Sequence, residues 1–296
     1  MIPISQGHLT LLDACARKYQ YIFFDALSGP ATYDQQLTTQ WGSQFHRLMQ
    51  QRALNLPVEV LAEADTEMAA SMAALAKAAP DVFTYLSAAS DPPAERDPLS
   101  DDASATTPFS QSEHRRTLEF NGYLLTVVYD LLVRSPMQGQ IFDWKTHQRL
   151  LPEDQLRNDW QTRLYLYVLC ETTDLSPQQL SMTYWFVRGS ADRQEAPRAY
   201  RFDYSEVLHR RTQQDLQRLT DRLSEMIRRV EFPKVPVEKG LCDRCLFNVR
   251  CDRVTTTLES RGDQVSEALA SPPVDPQRLL SVASQLTADM VEEIPL

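Results

Sequence analysis

The sequence contains no apolar run approaching the roughly 20 residues that span a bilayer. Its first residues, MIPISQGHLTLLDACARKY, lack the basic start and unbroken apolar segment of a secretory signal. No G-x-x-x-x-G-K-[ST] stretch occurs, so the chain has no recognisable phosphate-binding loop for a motor. No internal repeat is found. These absences exclude an ordinary membrane-spanning helix and a P-loop motor, and they lead to the expectation of a cytoplasmic protein.

What is present is 296 residues of ordinary globular hydrophobicity and a net charge of −10. The charge is uneven. From Glu59 to Glu113 there are eleven acidic and two basic residues, a balance of −9. From Arg193 to Arg253 there are fourteen basic and ten acidic residues, a balance of +4. Phosphate binding depends on local basic surface rather than on the total, so global acidity excludes little.

The chain is organised around Tyr123–Thr146, YLLTVVYDLLVRSPMQGQIFDWKT. Two runs of β-branched and aromatic residues flank a turn-like Ser-Pro-Met-Gln-Gly, which predicts two adjacent strands. Each run carries one aspartate, Asp130 and Asp143. Side chains alternate along a strand, so Asp143 and Lys145 share a face and Trp144 takes the other. Two carboxylates and an ammonium at a strand end suit a hard divalent cation and a water. The plainer reading is a strand-edge charge and a surface ion pair.

Of the five cysteines, Cys242, Cys245 and Cys251 form a C-x2-C-x5-C cluster. In a cytosolic chain such a cluster points to a metal rather than to disulfides. A four-thiolate iron–sulfur cluster needs a fourth cysteine, and Cys15 and Cys170 are the candidates. Zinc is the competing metal.

In chain order, a helix is expected from Ser5 to about Ala26, followed by a Ser-Gly-Pro loop. A second helix, about Gln35–Leu54, contains Gly42 and His46; a glycine inside a helix suggests close backbone approach. A third is expected over Val58–Ala79. Residues 90–112 are dense in Pro, Ser, Asp and Thr and read as a disordered insertion. Strands follow at Arg115–Phe120, Leu124–Arg134 and Gln140–Lys145. Then come helix Pro152–Thr172, strands Leu180–Val187 and Ala199–Tyr204, and arginine-rich helix Ser205–Val230. In the helix Pro152–Thr172, Gln161 and Tyr165 share a face. The order predicts an α/β fold with helices on a mixed central sheet. Residues 1–254 form the expected domain, and 255–296 a polar tail, partly helical or disordered.

As an ordered set, Gly42-x-x-x-His46, Asp130, Asp143-x-Lys145 and Gln161-x-x-x-Tyr165 resemble the RecB-type branch of the PD-(D/E)XK nuclease superfamily. With Cys15-Ala16-Arg17-Lys18-Tyr19 and the late cysteines, the chain is similar to the iron–sulfur subset of that branch. That subset includes AddB-type recombination nuclease domains and CRISPR-associated adaptation nucleases. The resemblance covers about residues 5–253, apart from the acidic insertion, and implies a restriction-endonuclease-like core. It implies that His46, Asp130 and Asp143, with the Trp144 carbonyl, ligate Mg²⁺ or Mn²⁺. Lys145 positions the attacking water, and Gln161 and Tyr165 orient Lys145 or the substrate backbone. Cys15, Cys242, Cys245 and Cys251 hold a [4Fe–4S] cluster, with Zn²⁺ the alternative; Cys170 matches no ligand position and reads as a small hydrophobe.

The implied activity is metal-dependent DNA hydrolysis in repair or recombination, on DNA as substrate, alongside a separate helicase or CRISPR partner protein. The alternative is a weakly catalytic module of the same fold that binds DNA or a helicase. Two departures from the family pattern stand out. Val127 occupies the place of a common glycine, where it could narrow the approach of DNA, and Ala16 replaces a common proline.

Overall fold

The computed structural model describes residues 1–27, 33–58, 65–88, 109–147, 150–188 and 196–253. The expected Ser-Gly-Pro loop, residues 59–64, most of the acidic insertion (90–108) and the tail from 254 lie outside these. Among the described residues the strands are β1 (Ile2–Ile4), β2 (Phe109–Phe120), β3 (Tyr123–Arg134), β4 (Gly139–Lys145), β5 (Leu180–Phe186) and β6 (Arg198–Asp203). They form one mixed six-stranded sheet in the order β1-β3-β4-β5-β6, with β2 also paired to β3. β1 is parallel to β3 and β4 to β5, whereas β3–β4 and β5–β6 are antiparallel.

The chain divides into two compact units, and strand β3 begins in one and continues in the other. The first unit contains the described residues of Met1–Pro30, Glu119–Leu125 and Gln214–Leu296. Asn121 and Gly122, both with positive φ, make the two-residue turn from β2 into β3. Asn121 donates to Thr220 and Asp221, and the Tyr123 hydroxyl bonds Ser224 at 2.7 Å. The expected first helix is broken. Helix α1 (Gln6–Ala14) ends at Cys15, which is extended, and α2 (Ala16–Tyr19) runs on into a π-turn over Gln20–Phe24. Helical spacing alone continues across Cys15. The break instead answers to tertiary contact, since the Arg17 N–H donates to the Pro233 carbonyl at 3.2 Å. Strand β1 escaped the sequence reading because three residues are too few to show alternation.

The second unit contains the described residues of Ala31–Leu118 and Thr126–Gln213. Helix α3 (Tyr33–Ala53) buries Trp41, Phe45, Leu48 and Met49, one helical face. They pack with Leu131, Val133, Phe142 and Trp144 from the sheet. The expected third helix is α4 (Thr66–Ala78), capped by Asp65, whose carboxylate accepts the Met68 N–H. A further helix, α5 (Pro80–Ala88), follows directly, because proline ends one helix and suits the first turn of the next. Residues 109–112, expected within the disordered insertion, are strand: their polar composition conceals pairing with β3, where the Ser112 hydroxyl donates to the Asp130 carbonyl at 2.9 Å.

Helix Pro152–Thr172 is likewise two helices, α6 (Glu153–Asn158) and α7 (Trp160–Glu171). Asp159 between them is extended, and its carboxylate accepts the Gln161 N–H at 2.8 Å. Helix α8 (Glu206–Arg229) runs from the second unit into the first and buries Leu216, Leu219, Leu223 and Met226 at helical spacing.

Candidate active site at the end of strand β4

The β3–β4 ladder runs from Arg134↔Gly139 to Leu131↔Phe142. One further step in that register would set Asp130 against Asp143. There the backbone pairing gives way to a side chain: the Asp130 carboxylate accepts the Trp144 N–H at 2.7 Å. Beyond this point β4 continues beside β5, to Lys145↔Phe186. The last residues of β4 are thus held by β5 and by a carboxylate, and polar side chains gather at the opening.

His46 reaches the opening from α3. One ring nitrogen lies 3.0 Å from the Trp144 carbonyl oxygen, the other 3.2 Å from the second Asp130 oxygen. Gly42, one helical turn earlier, makes this approach possible. A Cβ there would stand 2.7 Å from the Thr146 hydroxyl, closer than real Cβ contacts allow. The close approach expected at Gly42 is therefore between α3 and the residue after β4.

Asp143 and Lys145 share one face of the strand end, with Nζ 3.0 Å from the carboxylate. Both are buried, so this is not the surface pair of the plainer reading. Gln161 bridges them. Its carbonyl accepts from Lys145 at 2.8 Å, and its amide donates to Asp143 at 2.6 Å. The Tyr184 ring lies 5.2 Å from the ammonium. Tyr165 is buried and its hydroxyl bonds the Gln161 side chain. Burial, then Asp143 and Asp130, push that phenol well above its usual range.

The sequence reading missed Glu113. A Glu113 oxygen, a His46 nitrogen and an Asp130 oxygen all lie within 4.8 Å of one another. The Glu113 carboxyl is raised to about 7, by burial first and then by Asp130, with His46 opposing the rise and Asp143 adding to it. Glu113 is the last charge of an acidic stretch, and nothing in its local sequence distinguishes it from the others. Val127 is wholly buried, so it does not stand in the approach to the opening.

Within the first unit, the four expected cluster cysteines, Cys15, Cys242, Cys245 and Cys251, are half-buried and free of disulfides. Burial raises the Cys251 thiol, the Tyr21 hydroxyl and Lys234 lower it, and Cys245 and Cys15 raise it further. Cys15 is thus near the late cysteines. Among the described residues, these thiols form no trio within 4.8 Å. Four cysteine thiols are in number and kind the donors that a zinc tetrathiolate and a [4Fe–4S] cluster both take. Cys170 belongs to the second unit. Its thiol donates to the Leu175 carbonyl at 3.6 Å and sits in a close group with Glu171 and His209, more polar company than a small hydrophobe keeps.

Helix α8 carries Arg210, Arg211, Arg218, Arg222, Arg228 and Arg229. Arg210 pairs with Glu206, Arg218 with Asp215, and both Arg228 and Arg229 with Glu225. Exposed pairs of this kind contribute about 0–1 kcal/mol, so a phosphate can displace the acid.

An α/β sheet opens at a central strand onto a histidine, carboxylates and a lysine, a set suited to holding a divalent cation beside a water. The chain belongs to the PD-(D/E)XK nuclease superfamily, whose pattern it matches over residues 3–252. Nucleases of this superfamily generally use divalent metals. Among curated proteins none matches. Among solved structures, one similar chain is a protein of Eubacterium rectale described as a "Putative exonuclease". It is 11% identical with TM-score 0.45, over 91% of this chain and 93% of that one. Another is the protein SSO0001, 12% identical with TM-score 0.35, over 84% and 85%. No described helix is long and apolar enough to cross a membrane.

Proposed function

We propose that this protein is a metal-dependent DNA nuclease of DNA repair or recombination, working beside a partner that supplies any unwinding. The observation that carries the reading is the convergence of His46, Asp130 and the Gln161-bridged Asp143–Lys145 pair where β3 and β4 part. His46, Asp130, Asp143 and the Trp144 carbonyl are the residues that would hold Mg²⁺ or Mn²⁺. Bound there, such an ion supplies positive charge to a phosphoryl oxygen and a more acidic water. Lys145 holds the attacking water in line and offsets charge as the phosphorus–oxygen bond breaks. Gln161 fixes the ammonium and the carboxylate in one geometry, so neither has to reorganise during reaction. Tyr165 in turn fixes Gln161. Arginines on α8 grip substrate phosphates by charge-assisted hydrogen bonds. Cys15, Cys242, Cys245 and Cys251 hold a [4Fe–4S] cluster that ties the start of the chain to its late loop.

The test is hydrolysis of labelled single- and double-stranded DNA by anaerobically purified protein with Mn²⁺ or Mg²⁺. Cleavage should vanish with chelator and in Asp143→Ala and Lys145→Ala. Activity that persists in both variants overturns the reading.

A further inference from the structure

We propose that Glu113 is a further protein ligand of the divalent cation at the end of β4, and that it sets how tightly the centre holds that ion. The inference rests on the nuclease reading above.

Two independent observations meet at this residue. The first is proximity: one ligand atom each from Glu113, His46 and Asp130 fall within 4.8 Å of one another. Around an octahedral ion with metal–oxygen distances of about 2.1 Å, neighbouring ligands stand about 3 Å apart and opposite ones about 4.2 Å. The three atoms are therefore grouped on the scale of one coordination shell.

The second is a break in strand β2. Along Phe109–Phe120, every even-numbered residue is half-buried, and every odd-numbered one is exposed except Glu113. Simple alternation assigns Glu113 to the outer face. Its φ of +51° is left-handed, unusual for a residue other than glycine. A strand irregularity of this kind re-aims one side chain and is common beside active sites. Here it turns a carboxylate toward His46 and Asp130. The kink is secured on both sides: Ser112 donates to the Asp130 carbonyl at 2.9 Å, and the side chains of Gln111 and His114 bond at 2.7 Å.

Charge gives the arrangement its purpose. Glu113, Asp130 and Asp143 bring three carboxylates to one opening, where Lys145 is already committed to Asp143 and Gln161. A divalent ion relieves that repulsion, and a further carboxylate favours its binding.

The experiment measures Mn²⁺ binding directly, by calorimetry and by the electron paramagnetic resonance of free Mn²⁺, on wild type, Glu113→Gln and Glu113→Gly. Glu113→Gln is nearly isosteric and removes the charge; Glu113→Gly removes the carboxylate and accepts the left-handed backbone without strain. Both should weaken Mn²⁺ binding by about tenfold or more. The Mn²⁺ concentration for half-maximal cleavage should rise in parallel, while cleavage at saturating Mn²⁺ falls less. Melting curves recorded without metal verify that each variant is folded. Unchanged Mn²⁺ affinity in folded Glu113→Gln or Glu113→Gly, beside a wild type that binds and cuts, overturns the inference alone. A wild type that binds no Mn²⁺ overturns both it and the nuclease reading.

Discussion

Asp130 accepts the backbone N–H of Trp144 at 2.7 Å, fourteen residues along the chain. One oxygen thus replaces a strand partner while the other faces His46. The same carboxylate ends the β3–β4 ladder and furnishes the site that the ending exposes. Structure and chemistry at Asp130 can be separated by substitution. Asp130→Asn keeps an acceptor for Trp144 and should fold like wild type but lose cleavage. Asp130→Ala leaves a buried N–H unpaired and should cost a further 1–3 kcal/mol or so. Chemical denaturation beside the DNA cleavage assay reads both effects. Equal stability of the two variants would count against the structural half of the argument.

Gln161 holds Lys145 and Asp143 without being expected to touch the reacting atoms. Gln161→Ala should lower cleavage by about 10–100-fold, the usual cost of losing an orienting partner. Lys145→Met, which keeps the stem and deletes the charge, should lower it by about 100-fold or more. Single-turnover cleavage at saturating Mn²⁺ distinguishes them. A larger loss at Gln161 than at Lys145 would reverse the assigned roles.

Gly42 allows α3 to approach Thr146, and the clash of an added Cβ is with the Thr146 hydroxyl, its own Cβ lying farther off at 3.7 Å. Gly42→Ala should destabilise the protein by about 1–3 kcal/mol and weaken Mn²⁺ binding as His46 is carried away. Thr146→Ala removes the obstructing oxygen, so the double variant should recover most of both losses. A double-mutant cycle in stability and Mn²⁺ affinity measures the coupling. Additive losses would mean that contact with Thr146 is not what requires glycine.

His8 predicts a pH effect on stability. Its ring stacks on Phe23, one nitrogen takes hydrogen bonds from Ser5, and burial lowers its pKa from 6.5 to about 4. Between those values the unfolded chain binds a proton that the folded protein refuses. Stability from this group is therefore full above pH 6.5 and lost as pH falls toward 4, by about 3 kcal/mol. Urea midpoints should drop over that range in wild type and much less in His8→Gln. Parallel pH dependence of the two would show that His8 is not the group responsible.

The late cysteines offer a composition test. Anaerobic protein should contain about four irons and four sulfides, and Cys251→Ser or Cys15→Ser should lose them with a fall in melting temperature on the order of 5 °C. Cys170→Ala should retain both. One zinc per chain in place of iron would replace the cluster with the alternative metal.

Much of the site was legible in residue spacing. Asp143 and Lys145 were assigned one face and Trp144 the other because side chains alternate along a strand, and Trp144 is indeed buried with Trp41 and Phe45. Gln161 and Tyr165 were assigned one helix face, and they share a hydrogen bond. The helix boundaries were less legible. Cys15 and Asp159 each interrupt a pattern whose apolar spacing continues, and the interruption at Asp159 sets Gln161 at the head of α7. Nor could composition reveal that residues 109–112 are strand, because their pairing partner β3 lies in another segment of the chain.

The sequence by itself determined which donors exist and which neighbours share a face, since those follow from the fixed repeat of strand and helix. Only the tertiary structure decided where β3 and β4 part and that Glu113 turns inward. Both depend on contacts between segments distant in the chain. Side chains there compete with the backbone for hydrogen bonds, and no local spacing records the outcome.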